Sequence, residues 1–149
     1  MRAERGFTLL ELITYLALAS VGMCAGYTLW ASSELTSRRH SEAFARYSAV
    51  SAALYSAADD LRDSVRVAPR AEGPGGVIFK SSGEVVVYYD RPDSPGALYR
   101  KVLRGGEGEL PRVVARGITA LTFETEKSIL TARATAGAES RAISVRRRP

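Results

Sequence analysis

A run of 22 residues without a charged side chain, Leu12 to Ser33, constrains this chain more than any other feature. As an α-helix it spans roughly 33 Å, at about 1.5 Å per residue. That is enough to cross a hydrocarbon core of about 30 Å. Phe7 begins the apolar stretch, Trp30 closes it, and Glu11 is the one carboxylate within it. Tyr27 and Trp30 stand near its outer end, where amphipathic rings favour a membrane interface. Gly22 and Gly26 share one helix face, a spacing that permits close helix packing. From Glu34 onward charges are frequent, so the chain has an apolar part and a soluble part.

The remainder of the 149 residues suits one domain. At 46% hydrophobic and 25% charged residues, the chain is neither wholly disordered, nor collagen-like, nor a polytopic membrane protein. Cys24 is the single cysteine, so no disulfide forms within the chain. One His and one Cys leave no cluster of soft metal ligands. The 21 Lys and Arg exceed the 16 Asp and Glu, a net charge of +5 compatible with nucleic acid, anionic lipid or neither.

The apolar run has three readings. One is a plain transmembrane anchor. A second is a secretory signal peptide, cut after Ala17-Leu18-Ala19 so that the chain starts at Ser20. The third follows from Arg5-Gly6-Phe7-Thr8-Leu9-Leu10-Glu11. This heptapeptide resembles the leader of type IV pilins and type II secretion pseudopilins. The resemblance implies cleavage by a prepilin peptidase at Gly6–Phe7 and N-methylation of Phe7. It also implies that Glu11 pairs with the N-terminal amine of a neighbouring subunit during assembly. The physics agrees: cleavage there removes a short polar tag and keeps the helix. A carboxylate at bilayer depth costs a few kcal/mol, which a plain anchor has no reason to carry. Arg2 and Arg5 before the span are balanced by Arg38 and Arg39 after it, so orientation rests on the resemblance.

The helix is expected to continue to Ala68, since 41–67 lack Gly and Pro. Phe44, Tyr47, Leu54, Ala58, Leu61 and Val65, with Ser51 between, form one apolar stripe to bury against a sheet. Asp59–Arg62 and Asp63–Arg66 are i,i+3 pairs on the wet side. Beyond Pro69 and Gly73-Pro74-Gly75-Gly76 the period changes to that of strands. Strands are predicted over 77–80, 84–90, 97–103, 110–115, 118–124, 129–134 and 142–146, joined as an antiparallel meander. The fold class is α+β. Tyr88-Tyr89, Leu98-Tyr99-Arg100, Val113 to Phe123 and Ile143 to Arg146 resemble the minor pseudopilin J group, more loosely than the leader does. Thr28, where many major pilins carry proline, and the missing disulfide point the resemblance away from a major pilin.

Other candidates for chemistry read as ordinary structure. His40 lies alone near the membrane surface, and no Ser/His/Asp site forms without it. Asp59, Asp60 and Asp63 read as a salt-bridged wet face beside Arg62 and Arg66. Asp90 and Asp93 are few for the six to eight oxygens of Ca²⁺ and suit a turn. Gly105-Gly106-Glu107-Gly108 lacks the lysine of a phosphate loop and reads as a hairpin connection. Arg146, Arg147 and Arg148 form a basic tail, solvated or in contact with nucleic acid.

The reading is thus a leader at 1–6, a transmembrane and assembly helix at 7–30, an amphipathic helix at 31–68 and a β domain at 69–149. It describes a minor pilin or pseudopilin, a structural subunit and not an enzyme, without a cofactor. Its expected partners are a prepilin peptidase, other pilins and the inner membrane, with the C-terminal domain in the periplasm or exterior. A DNA-binding minor pilin of an uptake apparatus is the alternative.

Overall fold

The computed structural model describes residues 8–70, 73–105 and 107–146. One helix, α1 (Leu9–Arg62), precedes nine strands: β1 (Ser64–Pro69), β2 (Gly75–Lys80), β3 (Val85–Arg91), β4 (Ser94–Arg104), β5 (Glu107–Gly108), β6 (Arg112–Arg116), β7 (Ala120–Glu126), β8 (Ile129–Ala136) and β9 (Glu139–Arg146). The chain divides into two units, Met1–Glu42 and Ala43–Pro149, and the boundary falls within α1. The architecture is the α+β arrangement expected: a long N-terminal helix, then antiparallel strands.

In the second unit, α1 buries Ala49, Val50, Ala53, Leu54, Ala57, Ala58 and Leu61. All of these but Ala58 share one core cluster with Ile78, Val86, Tyr88, Leu98, Leu121, Phe123 and buried alanines of β8. The small side chains are the reason. Ala53 and Ala57 on the helix, and Ala132, Ala134 and Ala136 on β8, are all fully buried, so backbones approach closely where bulk is absent. The stripe read from sequence is displaced as a result. Leu54, Ala58 and Leu61 are buried as expected, but Phe44 and Tyr47 lie outside, 73% and 44% exposed.

The helix ends at Arg62, six residues before the expected stop, and residues 64–69 form β1 instead. Local capping and tertiary pairing explain the difference. The Ser64 hydroxyl donates to the Leu61 carbonyl at 2.8 Å, and the Ser81 amide donates to the Asp63 carbonyl at 2.9 Å. Val65 and Val67 are stiff, β-favouring residues, and β1 pairs along β2 from Ser64↔Lys80 to Pro69↔Gly76. Asp63 and Arg66 therefore do not share a helix face, whereas Asp59 and Arg62 approach to 3.8 Å as expected.

The single meander is also corrected. The strands form two sheets: one ordered β1-β2-β3-β4-β5 with β6 also on β4, and one ordered β7-β8-β9. Gly117, at φ 78°, turns the chain out of β6. The Ile118 amide then donates to the Gly96 carbonyl and the Thr119 amide to that of Thr135, so these two residues step from one sheet to the other. Gly76 lets the sheets meet: a Cβ there would fall 2.5 Å from the Phe123 ring. Turns fall at Ser81-Ser82-Gly83 and across Gly105, as read. β4 begins at Ser94, inside the expected loop.

Candidate functional site

The N-terminal unit carries the sequence's most specific motif. Gly6 and Phe7, the expected cleavage and methylation positions, lie outside the described residues. Thr8 and Glu11 lie within them, and their geometry explains how the helix begins. The Thr8 amide and the Thr8 hydroxyl each donate to Glu11 Oε2 at 3.0 Å. The Glu11 amide donates back to Thr8 Oγ1 at 3.3 Å. This is a capping box, with Thr8 as N-cap and Glu11 three residues on. Glu11 thus has a local role that the sequence reading missed, although Thr-x-x-Glu before an apolar run is a recognisable signal. Both Thr8 donors land on one carboxylate oxygen. Among the described residues no cation pairs with Glu11.

Beyond the cap, the large apolar side chains from Leu9 to Trp30 are all exposed. The helix is long and apolar enough to cross a membrane by length and composition. Its hydroxyls bond back to the helix, as those of Thr36 and Ser48 also do further along. Thr14, Ser20, Thr28 and Ser32 each donate to a backbone carbonyl three or four residues back, at 2.7–2.9 Å. In a medium without water, such internal bonds satisfy groups that would otherwise cost several kcal/mol. Gly22 and Gly26 have open space where a Cβ would be, and the Tyr27 and Trp30 rings lie 6.1 Å apart.

The second unit holds a polar cluster that the sequence reading misplaced. Asp60, read as part of a wet face, is 1% exposed. Its Oδ2 accepts from Tyr88 at 2.6 Å and from Arg100 Nε at 2.7 Å. Its Oδ1 accepts from a second Arg100 nitrogen at 2.7 Å and from Lys80 Nζ at 2.9 Å. The Tyr88 hydroxyl also bonds Ser56, at 2.8 Å. Burial alone would raise the Asp60 pKa, but the bonds from Arg100, Lys80 and Tyr88 outweigh it and hold the carboxyl below its ordinary value. Burial, reinforced by the Asp60 charge, pushes the Tyr88 hydroxyl up. The cluster ties α1 to β2, β3 and β4 at once. Among the described residues no buried side-chain polar atom lacks a hydrogen-bond partner, so the cluster pins the fold.

The remaining candidates stay apart. His40 is exposed on α1. Asp90 pairs with Arg70 at 2.8 Å and Asp93 faces Arg91 at 3.9 Å. Among the described residues no group of three His, Cys, Asp or Glu side chains is placed to hold a metal ion. Glu107 and Gly108 pair with Arg104 and Leu103 as a hairpin edge. Arg146 ends β9, exposed, while Arg147 and Arg148 lie outside the described residues.

Residues 1–27 match the family described as the prokaryotic N-terminal methylation motif, the signature of type IV pilins and pseudopilins. No curated protein and no solved structure matches the chain.

Proposed function

We propose that this chain is a minor pilin or pseudopilin, a structural subunit of a type II secretion pseudopilus or a type IV pilus. A prepilin peptidase cuts it after Gly6 and methylates the new N-terminus at Phe7. The subunit rests in the inner membrane by its single apolar helix, with the β domain in the periplasm or exterior, and joins a filament by helix packing. One observation carries the reading: the methylation motif of residues 1–27 runs directly into a helix whose apolar side chains are exposed from Leu9 to Trp30. An exposed surface of that extent needs lipid or another helix.

Glu11 fits a role in assembly. Its Oε2 is held by Thr8, which fixes the carboxylate and leaves Oε1 for a further donor. The amine freed at Phe7 of a neighbour is such a donor, and pairing there offsets the cost of a carboxylate at membrane depth and selects register.

The test is the intact mass and N-terminal sequence of the protein taken from membranes of its own cell. A chain that begins at Phe7 with one added methyl group is the expected result. A start at Ser20 means a cleaved signal peptide and removes the filament reading. An uncut Met1 reduces the segment to an anchor.

A further inference from the structure

The sheet that holds β1 to β6 is apolar on both faces. Its inner face buries Ile78, Val86, Tyr88, Leu98 and Val102 in the core. Through Tyr88 it meets Ser56 of α1 and Phe123 of β7. Side chains alternate across a strand, so the residues between these point the other way. On that outer face the pairing sets Val77 beside Val87, Phe79 beside Val85 and Tyr89 beside Tyr99. Leu103 extends the row of Val85, and Val113 that of Tyr99. All of them are at least partly exposed, Phe79 to 37% and Val113 to 38%. A sheet with one wet face alternates apolar and polar residues, whereas strands covered on both faces read as continuous apolar runs. Val85-Val86-Val87-Tyr88-Tyr89 is such a run. A contiguous apolar patch left open in this way marks a binding surface.

Cations flank the patch. Arg66 of β1 lies opposite Phe79, its guanidinium 6.0 Å from the ring centre. Lys101 of β4 lies opposite Val87, on the far side of the patch from β1. Arg91, at the end of β3, sits 5.3 Å from the Tyr99 ring and faces Asp93 at 3.9 Å. Among the described residues neither Arg66 nor Lys101 forms an ion pair, and no Asp or Glu stands at an outward position between them. Arg66 and Lys101 are three strands apart, about 14 Å across the sheet. An α-helix with its side chains is about 10–12 Å wide, so a helix laid along the strands fits between the two cations. From the row of Phe79 to that of Tyr89 the patch is about 14 Å long, the length of about nine helical residues. That footprint is well below the ~800 Å² a side of a whole-domain interface, and it suits one element. Aliphatic side chains outnumber rings in it, and Tyr89 and Tyr99 stack on each other with centres 5.8 Å apart. Such a surface suits the apolar face of a helix better than unstacked bases, which need free rings.

We propose that an amphipathic helix of a different protein docks on this outer face, its apolar stripe on Val77, Phe79, Val85 and Val87 and its acidic flanks on Arg66 and Lys101. A helix laid on a sheet is a standard way to bury an apolar sheet face. An apolar stripe between acidic flanks complements a patch that is apolar in the middle and positive on both sides. The helix of a second copy does not supply it. From Leu12 to Ser33 α1 carries no acid, and from Ala49 to Leu61 its apolar face is buried in its own core. Between these stretches Arg38, Arg39 and Arg46 outnumber Glu34 and Glu42. The contact involves the β domain alone, so it stands apart from cleavage at Gly6.

The test places the photoreactive residue p-benzoylphenylalanine at Phe79, and separately at Val113, in the full chain in membranes of its own cell. Both side chains are already more than a third exposed, so the fold tolerates the added ring. Irradiation is expected to join each to a chain of another size. Mass spectrometry of the joined peptide is expected to find apolar residues at three- and four-residue steps with Asp or Glu on either side. The same group at Thr122, exposed on β7, is expected to give no such product. Arg66→Glu with Lys101→Glu should lower the yield about tenfold, and exchanging the partner's flanking acids for Lys should restore it. The proposal is overturned by no product from either position, by a product with a second copy or with nucleic acid, or by a joined peptide without acids. A yield unmoved by the charge reversal overturns it as well.

Discussion

Replacing Asp60 by Asn keeps the shape of the side chain and removes its charge. Arg100 and Lys80 then remain in place, 17% and 14% exposed, with no anion between them. Removing one partner of a buried ion pair costs about 3–5 kcal/mol. Because both cations keep some access to water, the lower end applies, about 3 kcal/mol. That shifts the folding equilibrium about 150-fold, or Tm by about 12 °C for a domain of this size. The assay is urea unfolding followed by circular dichroism on residues 43–149, a span that contains every buried residue of the described core. The midpoint should fall with the slope unchanged. Lys80→Met should cost only about 1 kcal/mol, since Asp60 keeps two bonds from Arg100 and one from Tyr88. The triple change Asp60→Leu, Lys80→Met, Arg100→Met should cost less than Asp60→Asn alone, because it removes the stranded charges as well. The sign with pH is fixed by the direction of the Asp60 shift. A carboxyl held below its unfolded value of about 3.8 stabilises the fold above that pH, and loses the contribution as pH falls through the lower folded value. Asp60→Asn should flatten this acid limb. A cost below about 1 kcal/mol, or an acid limb unchanged in the variant, refutes the reasoning.

Gly76→Val should destabilise the same fragment by about 1–3 kcal/mol, since its side chain would meet the Phe123 ring and the Ala68 carbonyl; the urea midpoint checks it. Tyr88→Phe should cost about 1–2 kcal/mol by removing the bonds to Asp60 and Ser56. It should also weaken the loss of stability above about pH 10, because a hydroxyl whose pKa is raised on folding stabilises below its unfolded value and ceases to do so as pH climbs. Thr8→Val should leave cleavage after Gly6 intact by mass yet reduce recovery of the subunit in sheared filaments, and Thr8→Ser should restore it. Normal incorporation of Thr8→Val would show that the capping box has no part in assembly.

Much of this architecture was legible in one dimension because its signals are local. An uncharged run, a basic tag ending in Gly-Phe, and β-branched runs separated by Gly and Pro each act over a few residues. What was not legible depends on residues far apart in sequence. The strand at Ser64 needs β2 beside it, and nothing before Pro69 marks the end of the helix by itself. Asp60 is the sharper case. Among Asp59, Asp60 and Asp63 it alone falls on the face of Ala53, Ala57 and Leu61, a hint of burial that spacing contained. Its meaning waited on Lys80, Tyr88 and Arg100, which lie on three different strands. The direction in which the Phe44 and Tyr47 stripe faces was equally beyond a pattern that has two apolar sides.

Helix α1 therefore carries two carboxylates among apolar residues, and their surroundings differ in a way that bears on function. Asp60 has two cations and a hydroxyl from its own chain, so this buried charge is balanced within its own unit. Among the described residues Glu11 has only the neutral donors of Thr8. Those donors orient a charge without neutralising it. In water that would suffice, because solvent screens an exposed carboxylate. In a helix long and apolar enough to lie in lipid it does not, and in the function proposed above the positive charge comes from a neighbour's N-terminus. A chain whose β domain balances its own buried charge, and whose Glu11 has no cation among the described residues, fits the proposed subunit that folds alone and assembles through its N-terminus. Exchange of Glu11 for Gln tests this asymmetry directly. It should leave the urea midpoint of the β domain unchanged and reduce recovery in filaments, whereas Asp60→Asn should lower the midpoint first and affect assembly only through loss of folded protein.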